Sequence, residues 1–139
     1  MLIEIKLDDN ALLPTRGHNT DAGLDLLTPA DVVIKANDSV VIDTGVHIAI
    51  PEGYFGKLES KSGLNVNHNV VCLGGVIDCG YTGSIKVKLY NLSDEPMNFK
   101  RGNKVVQLII QPCLLPDLLV VDSLEDTERG DNGFGSTGE

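Results

Sequence analysis

Apolar residues in this chain come in short runs, and several of the runs alternate with polar residues. Ile3, Ile5 and Leu7 alternate with Glu4 and Lys6, a period of two that predicts a half-buried strand. Short apolar runs follow at Val32–Ile34, 40–42 and 46–50, separated by Asn37-Asp38 and Thr44-Gly45 as turns. Pro51-Glu52-Gly53 makes another turn, and residues 54–58 open the next strand. The cleanest alternation lies at 84–90, where Ile85, Val87 and Leu89 interleave with Lys86, Lys88 and Tyr90. Residues 104–111 read as a strand apolar on both faces, bounded by Arg101-Gly102 and Pro112. No long segment keeps a helical period; residues 62–67 suggest one short helical turn. Many brief strands punctuated by turns predict an all-β sandwich or small barrel.

The pattern changes after Val121. Residues 122–139 are acidic, glycine-rich and nearly without apolar side chains, Leu124 and Phe134 excepted. The expected organisation is therefore a β domain over 1–121 and a flexible carboxy-terminal arm over 122–139. With 139 residues the chain suffices for one domain. Aromatics are few and tryptophan is absent, so the core must be built from Val, Ile and Leu, a composition that favours strands.

A net charge of −9 argues against a nucleic-acid coat or a membrane-surface binder. A polyanionic ligand would need a local cluster of cations, helped by magnesium arriving with it. Cys72, Cys79 and Cys113 are an odd set with no zinc spacing, and Cys72 and Cys113 sit in apolar runs, which predicts buried, reduced thiols. No stretch has the length of a membrane span, and Met1 begins a strand pattern rather than a leader. The expected compartment is a reducing one, cytoplasm or nucleus.

Three segments carry chemistry. The arm holds Arg129-Gly130-Asp131-Asn132-Gly133-Phe134-Gly135-Ser136-Thr137-Gly138, and its glycines match G-x-G-x-x-G. A dinucleotide fingerprint must follow a strand and open a helix, and here the sequence stops after Glu139, so that reading fails. What remains is one aromatic among free backbone N–H groups, two hydroxyls and an arginine, a set that suits a base with phosphates. The second segment runs from Gly74-Gly75 through Val76-Ile77-Asp78 to Tyr81-Thr82-Gly83. It reads as a hairpin whose backbone approaches a flat ligand and which presents Asp78 and Tyr81. In the third, Glu59-Ser60-Lys61-Ser62-Gly63-Leu64, a hydroxyl and a cation stand at the start of a helical turn. That is a phosphate cradle or, equally, a turn capped by Ser62.

Together these segments resemble the five ordered motifs of the trimeric dUTPases. The first is Ala22-Gly23-Leu24-Asp25-Leu26, the second Lys61-Ser62-Gly63-Leu64, and the third Gly75-Val76-Ile77-Asp78 with Tyr81 and Gly83. The fourth is Gly102-Asn103-Lys104-Val105-Val106-Gln107-Leu108, and the fifth runs from Arg129 to Gly138. The resemblance implies a jelly-roll-like β-barrel assembled as a homotrimer with shared sites. It implies hydrolysis of dUTP to dUMP and pyrophosphate with Mg2+, which limits uracil incorporation into DNA and supplies dUMP for dTTP synthesis. Asp78 would be the general base that directs water in line at the α-phosphorus. Gly75, Val76 and Ile77 would read the uracil edge, and Tyr81 would pack on the deoxyribose where a 2′-hydroxyl would clash. Lys61, Ser62, Gly63 and Gln107 would hold the phosphates, with Asp25 acting on the magnesium through water. Arg129, Gly135, Ser136 and Thr137 would close over the phosphate chain while Phe134 stacks on uracil.

Four positions depart from the family pattern. Lys61 and Lys104 stand where arginines are usual, Asn103 stands where an aspartate precedes that second arginine, and Gly80 replaces a second aspartate of the third motif. These departures resemble the retroviral branch. Two rivals have the sequence against them. A dCTP deaminase of the same fold would need a glutamate within 75–83, which has none, and a non-catalytic β-module would not be expected to keep both Asp78 and the 133–138 run.

Overall fold

The computed structural model describes residues 1–133. It contains eleven strands and a single short helix, α1 (Ser62–His68). The largest sheet joins β2 (Leu24–Leu27), β11 (Lys104–Pro112), β6 (Tyr54–Glu59) and β8 (Val76–Ile77), in that spatial order. A second sheet joins β4 (Ser39–Asp43), β9 (Lys86–Asn91) and β7 (Val70–Cys72). Two ribbons complete the barrel: β1 (Ile5–Leu7) with β5 (Val46–Ile48), and β3 (Val32–Ile34) with β10 (Met97–Phe99). Every pairing is antiparallel. The fold is all-β and jelly-roll-like, the class the turn-punctuated strands predict.

Period-two patterning does what it should in β9: Val87 and Leu89 are buried while Lys86 and Lys88 face solvent. β11 is hydrogen-bonded on both sides, and a register shift between Lys104 and Val106 lets the consecutive Val105 and Val106 both enter the core. These residues close a core of branched aliphatics with Leu26, Ile34, Ile42, Leu58, Ile85 and Leu108. Asn91 is fully buried among them. Its amide donates to the carbonyls of Ile34, Lys35 and Glu95, and its side-chain oxygen accepts from Ser93. The β3–β4 turn and the loop after β9 are thereby locked together.

Several expectations change. Among the described residues β1 pairs only with β5 and is exposed on both faces, because alternation identifies an apolar face without supplying what covers it. Cys113 is half-buried rather than buried, whereas Cys72 is buried and desolvation raises its thiol pKa. All three cysteines are free thiols. The chain leaves the sheets at the end of β11, earlier than the composition change at Val121: Cys113 N still donates to Gly53 O, and residues 114–132 are exposed.

Candidate active site

Three strands and one loop gather the phosphate-end candidates. Gln107 lies in β11 opposite Asp25 of β2 on one side and Glu59 of β6 on the other, so it is a central-strand residue and not one at a sheet edge. Its amide donates to Ser60 O at 3.1 Å. Gly23 makes room for it, since a Cβ there would stand 2.3 Å from Gln107 Oε1. The glycine of the first motif and the glutamine of the fourth are thus one packing unit. Beyond Ser60 the chain enters α1. Lys61 occupies the cap position with no side-chain cap bond, and Ser62 is the first helical residue. Ser62 is therefore not a cap, and its exposed hydroxyl has no hydrogen-bond partner among the described residues.

Asp25 is the electrostatic centre of this end. It is only 6% exposed, yet Lys61 Nζ donates to one carboxylate oxygen and Lys104 Nζ lies 2.7 Å from the other. Burial alone would raise its pKa. The hydrogen bonds and charges of Lys104 and Lys61 outweigh burial and hold the carboxyl below the ordinary aspartate value. The cluster carries a net positive charge, the polarity a triphosphate requires. Lys104 therefore keeps a charged partner, although the Asn103-Lys104 pair in sequence has lost one. Sequence reasoning missed this use of Lys104, since its partner lies on another strand. Asn103 has a local role: its side-chain oxygen accepts from Lys100 N in the turn before β11.

The base-reading candidates sit elsewhere. Gly75 has φ +123°, and a Cβ there would stand 2.7 Å from the Leu58 side chain, so only glycine lets the strand close on β6. Val76 and Ile77 pair with Lys57 and Gly56, which makes β8 the outer strand of its sheet. An outer strand pairs along one side and turns its other row of backbone donors and acceptors outward. The segment is not a self-paired hairpin: the limb before Asp78 pairs with β6, and the limb after Tyr81 turns toward β5. Between them Tyr81 N donates to Asp78 O at 3.2 Å, with Gly80 at φ +81°. The exposed Asp78 carboxylate has no hydrogen-bond partner among the described residues. Tyr81 is half-exposed, and its hydroxyl donates to Ser84 O at 3.0 Å.

One chain does not bring Asp78 to the Lys61 cluster. Because β8 runs antiparallel to β6 with Ile77 opposite Gly56, Asp78 continues toward Phe55, whereas Lys61 and Ser62 follow the far end of β6. The span from Phe55 to Glu59 alone is about 13 Å. Arg129 is exposed on the arm, with its Nε donating to Asn132 O at 2.9 Å. Phe134, Gly135, Ser136 and Thr137 lie outside the described residues.

With this geometry in view, the family model described as dUTPase matches residues 9–138. The chain belongs to the dUTPase family. It is 41% identical to a probable deoxyuridine 5′-triphosphate nucleotidohydrolase of Schizosaccharomyces pombe, covering 96% of this chain and 95% of that one. It is 40% identical to the corresponding protein of Paramecium bursaria Chlorella virus 1, over 99% and 97% of the two chains. The dUTPase of Staphylococcus bacteriophage 80alpha, solved as a mutant with dUpNHpp, superposes with a TM-score of 0.92 at 32% identity over 99% of both chains.

Proposed function

We propose that this dUTPase hydrolyses dUTP to dUMP and pyrophosphate at sites built between copies of the chain. The observation that carries the reading is the separation of two complete half-sites. One is the cationic cluster of Lys61, Lys104 and Asp25 with Ser62 and Gln107; the other is the outward edge of β8 with Asp78 and Tyr81. A second copy placing its β8 edge against the first copy's cluster joins base, sugar and phosphate subsites in one cleft. The exposed apolar segment at 114–124 supports this assembly. Leu118 is 92% and Val120 95% exposed, and Leu114, Leu119 and Leu124 are similarly uncovered, a stretch that calls for cover by another chain. The assembly in this reading is the homotrimer.

Within the cleft the β8 backbone reads the uracil edge as an additional strand would. Uracil presents an N–H between two carbonyls. Cytosine replaces one acceptor with a donor and leaves buried groups unpaired, and thymine adds a methyl. Tyr81 closes the position a 2′-hydroxyl would occupy. The Asp78 carboxylate, uncommitted to any bond among the described residues, accepts the proton of the water that attacks the α-phosphorus. Lys61, Lys104, Ser62 and Gln107 hold the phosphates and stabilise the charge that develops, and Arg129 with Gly135, Ser136, Thr137 and Phe134 completes the site from the arm.

Magnesium belongs to the substrate in this reading. Among the described residues no three His, Cys, Asp or Glu side chains gather into a metal cage, and both Asp25 oxygens already accept from lysines. A solved phage phi11 dUTPase is described as coordinating a structural Mg(II) ion, a property of that protein. Here the ion enters on the triphosphate with its own waters, and Asp25 meets it only through one of them. Among the described residues no helix is long and apolar enough to cross a membrane.

The test is pyrophosphate release from dUTP, dCTP, dTTP and UTP in the presence of magnesium. The expected result is release from dUTP with the other three slower by about 10²-fold, since the cytosine edge strands buried polar groups, thymine brings a methyl, and a 2′-hydroxyl meets Tyr81. Equal turnover of dCTP would remove the β8 edge as the base reader. Deamination of dCTP would revive the deaminase alternative.

A further inference from the structure

The corner at residues 43–47, which carries the chain from β4 into β5, lies directly behind the Tyr81 loop and grips it at three successive points. Ser84 Oγ donates to an Asp43 carboxylate oxygen. Ile85 N donates to Val46 O at 2.9 Å, and Ile85 O accepts from Thr44 N at 3.1 Å and Thr44 Oγ1 at 2.7 Å. The third grip is His47, whose Nδ1 stands 2.7 Å from Thr82 O and whose Nε2 stands 3.2 Å from Asp8 Oδ1. The corner is itself fixed to the amino-terminal segment, since Asp8 N donates to Gly45 O at 2.9 Å.

The two partners of His47 are both pure acceptors, a peptide carbonyl and a carboxylate. A neutral imidazole has one N–H, so one of the two contacts would set lone pair against lone pair. Only the imidazolium donates at both ends. The side chain is therefore a strap that is complete when charged and half-made when neutral. What it holds is the backbone that aims Tyr81. The Tyr81 ring folds back along its own loop, with its hydroxyl on Ser84 O, and a Cβ at Gly83 would stand 2.5 Å from that hydroxyl. A shift of the Thr82 peptide thus changes the angle of the ring.

We propose that His47, bridging Asp8 and the Thr82 carbonyl as an imidazolium, is a positioning residue for Tyr81 and makes the sugar selectivity of the site depend on pH. The proposal rests on the reading that Tyr81 lines the deoxyribose. His47 touches no substrate in this reading and acts through the loop. The charged groups facing it are Asp8, Lys6 and Glu4 from the amino-terminal strand and its approach, and Asp43 from its own corner. The Thr82 carbonyl first, then Asp8, raise the His47 pKa above the ordinary value, while Lys6 opposes them. Because the folded value is raised, the strap is complete below the ordinary histidine pKa of about 6.5 and is lost as pH rises through the higher folded value.

The experiment measures kcat/KM for UTP and for dUTP across this pH window and takes their ratio, in which effects common to both substrates cancel. In the native chain the UTP-to-dUTP ratio should climb about tenfold from the acid to the alkaline side, the effect of one charged hydrogen bond. His47→Arg keeps two donors at every pH and should hold the ratio low and flat, whereas His47→Phe should hold it high and flat. A native ratio that does not change with pH, or a His47→Phe profile matching the native one, overturns the proposal. NMR titration of the native chain gives a second measurement that needs no turnover. The Thr82 amide and Tyr81 ring resonances should follow the His47 ring, and their failure to move also overturns the strap. If no nucleotide is hydrolysed, the dUTPase reading fails and this titration decides the strap by itself.

Discussion

Asp78→Asn is expected to lower kcat for dUTP by about 10²–10⁴-fold, the range of a lost general base, and to leave binding of dUpNHpp close to native. The two side chains have nearly the same shape, and asparagine accepts no proton. The turn survives the change, since Tyr81 N bonds to the backbone carbonyl of Asp78 rather than to its side chain. The exposed native carboxylate has no hydrogen-bond partner among the described residues, so its replacement breaks no packing contact. Steady-state pyrophosphate release together with analogue binding separates the two effects. A variant with unchanged kcat would remove Asp78 from the chemistry, and one that lost binding as well would make it a structural residue of the loop.

The second large effect comes from mixing two inactive chains. Lys61→Met removes the proposed phosphate contact and one of the two cations that neutralise Asp25, and should lower kcat/KM by about 10²-fold or more. Asp78→Asn is defective in the other half-site. If Lys61 and Asp78 of one site come from different copies, unfolding and refolding the two variants together in equal amounts forms some sites with both native residues. Random assembly gives about a quarter of all sites that composition, so about a quarter of native activity should return. Assays after co-refolding, compared with each variant refolded alone, make the measurement. Activity that stayed at the level of the separate variants would mean that each chain completes its own site. That outcome would contradict the register of β8 on β6, which carries Asp78 and Lys61 to opposite ends.

Much of the barrel was legible because its strands are half-buried and therefore alternate. In β9 the apolar and lysine positions predict the buried and exposed faces, and the turns at Asn37-Asp38 and Thr44-Gly45 fall where the structure makes them, with Asn37 at φ 54° and Gly45 at φ 66°. Alternation fails where the cover is missing. Ile5 and Leu7 pattern like core residues yet remain more than a third exposed, and 114–121 has the composition of a barrel segment without being packed as one. Apolar sequence states a demand for burial and does not say which chain meets it.

At the site, motif order singled out Asp78, Tyr81, Ser62 and Gln107 as candidates. What joins them was not legible, because the decisive contacts are long-range. Asp25 meets Lys61 and Lys104 across three strands, Gly23 yields its space to Gln107, and His47 reaches Thr82 from another strand. No local pattern encodes such pairs. The hairpin reading of 74–83 failed for a similar reason: Gly75 allows the limb before Asp78 to close on Leu58 of β6, which competes successfully with pairing inside the loop.

The most direct measurement of the central claim is a single turnover of dUTP by the native enzyme in heavy-oxygen water, with both products analysed by mass. Water directed by Asp78 at the α-phosphorus places the label in dUMP and leaves pyrophosphate unlabelled. Label in pyrophosphate would mean attack at the β-phosphorus and would contradict the placement of Asp78 beside the sugar end of the cleft.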